Sequence, residues 1–112
     1  VVVMDETVCM VEAMHTVAEF FAHESCGQCT PCRHGTGWVY RIVSRILEGH
    51  GSEDDLGTLM HAANYMTGTS ICALSEGASM AYRGFLTQFP EEFKYHVRHG
   101  KCDVKEKRQA VA

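Results

Sequence analysis

The 112-residue chain is acidic, with 10 Lys and Arg against 14 Asp and Glu and a formal net charge of −4. Apolar residues make up 46% and charged residues 21% of the sequence, a composition typical of one globular domain and unlike that of a disordered chain. The acidic balance argues against nucleic-acid binding. Because no apolar run approaches roughly 20 residues, we expect no direct insertion into a membrane.

The chain opens on the apolar run Val1–Met4, which has the pattern of the end of a β-strand whose partner is missing. No initiator Met precedes this run, so we expect a piece of a longer or processed protein. An apolar stripe at spacings of three and four then predicts a first helix between Thr7 and His23. The stripe consists of Met10, Met14, Val17 and Phe21. The residues expected to cap this helix are Asp5, Glu6 and Thr7.

The segment from Glu24 to Gly37 is expected to begin as a loop, because it contains three glycines and Pro31. A second apolar stripe predicts a helix that ends before Gly49. The members of that stripe are Val39, Ile42, Val43, Ile46 and Leu47.

Three further helices are predicted from local start and stop signals. Ser52 followed by Asp55 resembles a capping box and opens the third helix, which Gly68 ends. A fourth helix is indicated by Ala78, Tyr82, Phe85, Leu86 and Phe89. Pro90 suits the first turn of a fifth helix, which ends at Gly100. We therefore expect an all-α bundle of four to five short helices over residues 1–100, followed by a charged tail over residues 101–112.

Six cysteines are the main indication of chemistry: Cys9, Cys26, Cys29, Cys32, Cys72 and Cys102. A framework of three disulfides is one interpretation. It fits poorly, because bridges between cysteines three residues apart close very small loops that stabilise little. A metal site in a reducing compartment fits better.

The spacing of Cys26, Cys29 and Cys32 with one distant fourth cysteine is a common pattern for a 4Fe–4S cluster, in which each iron takes one thiolate. Cys72 is the first candidate for the fourth ligand, because a helix hairpin can return its loop to the start of the second helix. Cys9 and Cys102 remain alternatives. We expect Cys9 to be a small core residue and Cys102 to be a free thiol in the tail.

Two other uses of the cysteines stay open. Structural zinc usually takes two separated pairs of ligands, whereas here three cysteines face a single distant one. A zinc-binding structural or interaction domain is therefore the alternative function. A thioredoxin-like redox pair fits less well, because such a pair follows a strand and has no third cysteine.

Charged and imidazole side chains also have more than one interpretation. Arg33 is placed to offset the negative charge of a thiolate-bound cluster, or else to pair with a surface acid such as Glu24. His96, His99 and Cys102 have ligand-like spacing, but the polar composition of their helix end predicts a solvated face.

The segment from Glu24 to Arg33, followed by Gly35-Thr36-Gly37-Trp38, resembles the C-terminal iron–sulfur region of the NADH-binding flavoprotein subunit of respiratory complex I. Related modules occur in NAD-linked hydrogenases and formate dehydrogenases. The resemblance continues through Ser70-Ile71-Cys72-Ala73-Leu74 and covers nearly the whole chain.

The resemblance implies that Cys26, Cys29, Cys32 and Cys72 bind a 4Fe–4S cluster that takes electrons from reduced FMN and passes them to further clusters. It implies part of an NADH:quinone oxidoreductase-type enzyme with iron–sulfur subunits as partners, peripheral on the cytoplasmic or mitochondrial matrix side of a membrane. FMN and NAD are expected only in preceding domains that this sequence lacks. The chain alone is therefore not expected to oxidise NADH, and no catalytic residue is assigned to it.

Overall fold

The computed structural model describes residues 2–102, which form five α-helices joined by short turns. The helices are α1 (Met10–Glu24), α2 (Thr30–Leu47), α3 (Glu53–Met66), α4 (Leu74–Gln88) and α5 (Pro90–His99). The predicted all-α bundle is confirmed. Residues 2–4 form no strand, so the expectation of a strand end is wrong for that part of the run. Most of the predicted charged tail, residues 103–112, lies outside the described residues.

The core lies between the apolar stripes of the helices. Its largest fully buried side chains include Val11, Met14, Val39, Ile46, Leu59, Met66, Tyr82 and Phe93. Helix α1 packs mainly on α2 and α3 packs mainly on α4, while α5 contacts all four other helices. This arrangement places the α1–α2 turn and the α3–α4 turn at one end of the bundle, where the backbone N–H of Ile71 reaches the thiol of Cys29.

Helix α1 begins later than the sequence predicts, at Met10. Asp5 accepts hydrogen bonds from the backbone N–H and hydroxyl of Thr7, so these residues form a turn ahead of the helix and do not cap it. The free N–H of Met10 instead donates to Glu92 Oε2 on α5, at 3.1 Å. The cap therefore comes from a residue distant in sequence, which no local pattern reveals.

The segment from Glu24 to Gly37 begins as a loop, as predicted, but helix α2 starts within it, at Thr30, well before the apolar stripe that begins at Val39. Pro31 occupies the first turn, where a missing N–H costs no hydrogen bond. Gly35 serves the packing of α2 on α3, because a Cβ at this position would lie 2.7 Å from Met66 Cγ. Gly35 and Gly37 are therefore accommodated within the helix, whereas Gly27 lies in the turn before it.

The remaining local signals are confirmed. Ser52 and Asp55 form the predicted capping box at the start of α3, with Ser52 N donating to Asp55 Oδ2 at 3.0 Å. Pro90 opens α5, and Gly100 ends it with a positive φ of 70°. Gly49, in the α2–α3 turn, packs directly on the backbone of Gly100.

Candidate functional site

The three closely spaced cysteines follow the course of the chain from α1 into α2. Cys26 lies in the turn, Cys29 immediately precedes α2, and Cys32 lies in the first turn of that helix. Gly27 has a φ of 84°, a conformation that favours glycine and bends the chain between the first two cysteines. The α1–α2 turn thus presents its cysteines around a curve, as the sequence pattern requires.

The fourth cysteine predicted from sequence lies at the same end of the bundle. Cys26, Cys29, Cys32 and Cys72 all line one cavity of about 120 Å³. This volume is several times the ~30 Å³ that one water molecule takes up in the liquid. One side of the cavity lies in the protein interior and the other is open to solvent. Cys32 is buried, Cys29 is half-buried, and Cys26 and Cys72 are exposed. The structure thus brings the four predicted ligands together.

Two hydrogen bonds already reach sulfur in this cavity. The backbone N–H of Ile71 donates to Cys29 Sγ at 3.4 Å, and Ser25 Oγ lies 3.3 Å from Cys32 Sγ. Donors of this kind stabilise thiolate charge. The donor set is therefore one of four thiols with polar support, which suits an iron–sulfur cluster.

Arg33 holds the cysteine-bearing turn together. Its Nη1 donates to the carbonyl oxygen of Gly27 at 2.6 Å, and its Nη2 to Thr30 Oγ1 at 3.3 Å. The guanidinium therefore bridges the turn between Cys26 and Cys29 to the start of α2. It also carries a positive charge beside the site, as the charge-compensation prediction requires.

A buried tyrosine near the site has no marker in the sequence pattern. The Tyr82 hydroxyl is buried and has no hydrogen-bond partner among residues 2–102. Burial raises the pKa of Tyr82 well above its ordinary value, and the Cys32 thiol adds to the effect. The neutral Tyr82 hydroxyl is therefore close enough to Cys32 to interact with it electrostatically.

The predictions for the C-terminal cysteine and histidines are partly wrong. His96 is buried rather than solvated, and Cys102 is buried although the sequence placed it in an exposed tail. His99 is exposed, as predicted. Cys9 is buried, which confirms its interpretation as a core residue. Burial, followed by contact with Cys102, raises the pKa of Cys9 to about 12.

Comparison with known proteins assigns most of the chain to one family. Residues 12–96 match the family described as the NADH-ubiquinone oxidoreductase-F iron-sulfur binding region. The chain belongs to this family. The match includes all four cysteines of the cavity and confirms the resemblance seen in the sequence.

Relatives show the same assignment in longer proteins. The chain is 41% identical over 100 residues to the NADH-quinone oxidoreductase F subunit of Mycobacterium tuberculosis, covering 89% of this chain and 22% of the relative. It is 42% identical over 102 residues to an NADH-quinone oxidoreductase F subunit of Rhizobium meliloti, covering 91% and 24%. The chain thus spans about a quarter of the relatives that it matches.

Solved structures agree on the fold. An NAD+-reducing [NiFe]-hydrogenase in its H2-reduced state superposes with a TM-score of 0.79 and 33% identity, covering 84% of this chain and 16% of the hydrogenase chain. The air-oxidised state gives a TM-score of 0.80.

Within residues 2–102, none of the helices has the length and apolar content needed to cross a membrane.

Proposed function

We propose that this chain is an electron-transfer module that holds one 4Fe–4S cluster through Cys26, Cys29, Cys32 and Cys72. The observation that carries the proposal is the meeting of two turns, far apart in sequence, whose four thiols line one cavity. Membership of an iron–sulfur binding family supports the same cofactor class. No acid, base or nucleophile is assigned, because electron transfer needs none.

A bound cluster of this kind exchanges one electron at a time with its neighbours. The residues of the chain hold it and set the charge around it. The Ile71 N–H donates to the Cys29 sulfur, the Ser25 hydroxyl would donate to a Cys32 thiolate, and Arg33 opposes the negative charge that the thiolates bring. Each of these groups favours the reduced, more negative state, and the buried side of the site at Cys32 limits solvent screening.

The exposed side of the cavity is the route that we propose for electrons. Cys26 and Cys72 are exposed, whereas Cys32 faces the interior. A neighbouring cofactor can therefore approach the two outer thiols closely without any rearrangement of the helices. Ile71, beside Cys72, is 88% exposed and offers an apolar contact at the same edge.

The parent assembly is inferred from the relatives. Relatives at 41–42% identity are subunits of NADH-quinone oxidoreductase, and the matching solved structures are of an NAD+-reducing hydrogenase. We propose that reduced FMN, formed by NADH oxidation in a preceding part of the same subunit, is the electron donor. Clusters of neighbouring iron–sulfur subunits are the acceptors, in a complex peripheral to the cytoplasmic or matrix face of a membrane.

An apolar cleft beside the cysteine-bearing turn supports assembly with a larger protein. The cleft runs between α2 and α3 and has a volume of about 380 Å³. Trp38 and Tyr65 line it and are 53% and 67% exposed. Large exposed apolar side chains that gather on one surface are typical of an interface.

Reduction of the anaerobically reconstituted chain tests the proposal. With dithionite we expect a paramagnetic signal of one unpaired electron per chain, measured by electron paramagnetic resonance. C72A should abolish that signal with little effect on the fold, because Cys72 is exposed. S70A is the matched control, since Ser70 lines the same cavity without a thiol. A folded chain that takes up no electron after reconstitution would contradict the proposal, and bound zinc that C72A releases would favour the zinc-binding alternative.

A further inference from the structure

A second group of metal-ligating side chains lies at the other end of α1. Cys9 immediately precedes α1, whereas Cys26 follows it, and a helix of 15 residues is about 22 Å long. Cys9 meets His96 of α5 and Cys102, which follows the turn made by Gly100. The group is therefore separate from the four-cysteine cavity.

The possible ligand atoms of this group lie close enough together to share one metal ion. Cys9 Sγ lies 3.5 Å from His96 Nε2, and the three possible ligand atoms all lie within 4.8 Å of one another. Tetrahedral zinc with bonds of about 2.3 Å to sulfur and about 2.05 Å to nitrogen separates its ligand atoms by about 3.6 Å for S–N and about 3.8 Å for S–S. Small side-chain shifts would complete the arrangement. All three residues are buried, at 2%, 2% and 6% exposure.

We propose that Cys9, His96 and Cys102 bind a zinc ion. Two sulfurs and one imidazole nitrogen are soft to borderline ligands, which zinc prefers over magnesium or calcium. A tetrahedral site needs a fourth donor, and a water molecule can supply it. Binding is not a redox step: Zn²⁺ replaces the protons of the two thiols, which leave to solvent, and the imidazole binds through its neutral nitrogen.

The site would fasten the two ends of the described chain to each other. Cys9 and His96 are 87 residues apart, and Cys102 follows α5 after the turn at Gly100. The Glu92 carboxylate on α5 also caps the N–H of Met10, so α1 and α5 already meet at this point. A metal here holds the start of α1 against the end of α5, and its role is structural. This proposal is independent of the iron–sulfur assignment.

Metal analysis tests the proposal once the first site has been disabled. We would purify the full chain carrying C26S and C29S under reducing conditions, add zinc, dialyse and measure zinc by mass spectrometry. The expected result is about one zinc ion per chain. H96Q, added to this background, should weaken zinc binding at least about tenfold. H99Q is the matched control, because His99 is on the same helix but exposed, and it should retain the zinc.

A second measurement does not depend on how well H96Q folds. Cobalt added to the C26S/C29S chain should give the absorption of thiolate-to-cobalt charge transfer and of a tetrahedral ion, and zinc should displace it. Three results would overturn the proposal. They are failure of the folded chain to hold zinc or cobalt, unchanged zinc binding in a folded H96Q chain, and isolation of a Cys9–Cys102 disulfide that forms under reducing conditions in the presence of zinc.

Discussion

Cys29 is the residue at which the two cysteine-bearing turns meet. It immediately precedes α2, and its thiol accepts a hydrogen bond from the backbone of Ile71 in the α3–α4 turn. If Cys29 binds iron, as we propose, it connects both turns as well as holding the cluster. Its loss should therefore cost more than the loss of one bond to metal.

C29S is expected to lose most of the cluster on anaerobic reconstitution, because a serine hydroxyl is a poor substitute for a thiolate ligand of iron. Absorbance from sulfur-to-iron charge transfer, relative to protein concentration, measures the loss. S70A is the control, since Ser70 lines the same cavity without a thiol, and it should keep the full absorbance. Equal absorbance in the two variants would remove Cys29 from the ligand set.

Arg33 combines two effects that substitutions can separate. R33Q removes the positive charge, so reduction of the cluster becomes less favourable. The reduction potential of the cluster should fall by tens of millivolts, on the order expected for one partly screened charge. R33K keeps the charge but cannot form both hydrogen bonds of the guanidinium, to the Gly27 carbonyl and the Thr30 hydroxyl. It should retain most of the potential but lose its cluster faster to a chelator. Electrochemistry and chelation rates check both results; a potential that is the same in R33Q as in the unsubstituted chain would show that the charge has no such role.

At the scale of elements, the α2–α3 contact rests on the absence of a side chain at Gly35. G35A should lower the free energy of unfolding by about 1–3 kcal/mol, because its Cβ meets Met66 at 2.7 Å. G57A is the matched control within α3, where nothing lies within 4 Å of an added Cβ, and it should stabilise by about 0.5–1 kcal/mol. Denaturant unfolding measures both, and a stabilising G35A would show that Met66 moves aside.

The start of α3 is expected to give a stability that depends on pH. Burial alone would raise the pKa of Asp55, but the Ser52 backbone N–H and the Arg45 guanidinium outweigh it and hold the pKa below its usual 3.8. The stabilisation is therefore present above about pH 4 and is lost as the pH falls through the lowered pKa. D55N should cost about 1 kcal/mol at neutral pH. The difference in free energy of unfolding between D55N and the unsubstituted chain should shrink in acid. A difference that is constant from pH 7 to 2 would show that the Asp55 carboxylate does not stabilise the start of α3.

Signals confined to a few neighbouring residues were enough to predict most of the helix ends. Ser52 with Asp55, Pro90 and Gly100 act on the backbone beside them, so the sequence reveals them directly. The four cysteines of the cavity could also be predicted, because their spacing and their family resemblance are properties of the sequence. The start of α2 was missed because Gly35 is selected by a contact with α3, not by a turn. His96 was missed because its partner Cys9 lies 87 residues away.

At the scale of the whole molecule, the core and the cluster site are largely separate. The buried side chains that join the helices lie outside the cavity, and three of its four cysteines are exposed or half-buried. The chain without metal should therefore remain helical, as measured by circular dichroism. Cluster binding should raise the melting temperature by more than about 5 °C, because ligand bound only to the folded state stabilises it. A metal-free chain without helical signal would show that folding depends on the cluster.

The measurement that tests the central claim most directly is the iron and acid-labile sulfide content of the anaerobically purified chain, taken with its visible spectrum. About four iron and four sulfide per chain with brown absorbance are expected. Zinc without sulfide, persisting after anaerobic reconstitution with iron and sulfide, would contradict the assignment of Cys26, Cys29, Cys32 and Cys72 to a 4Fe–4S cluster.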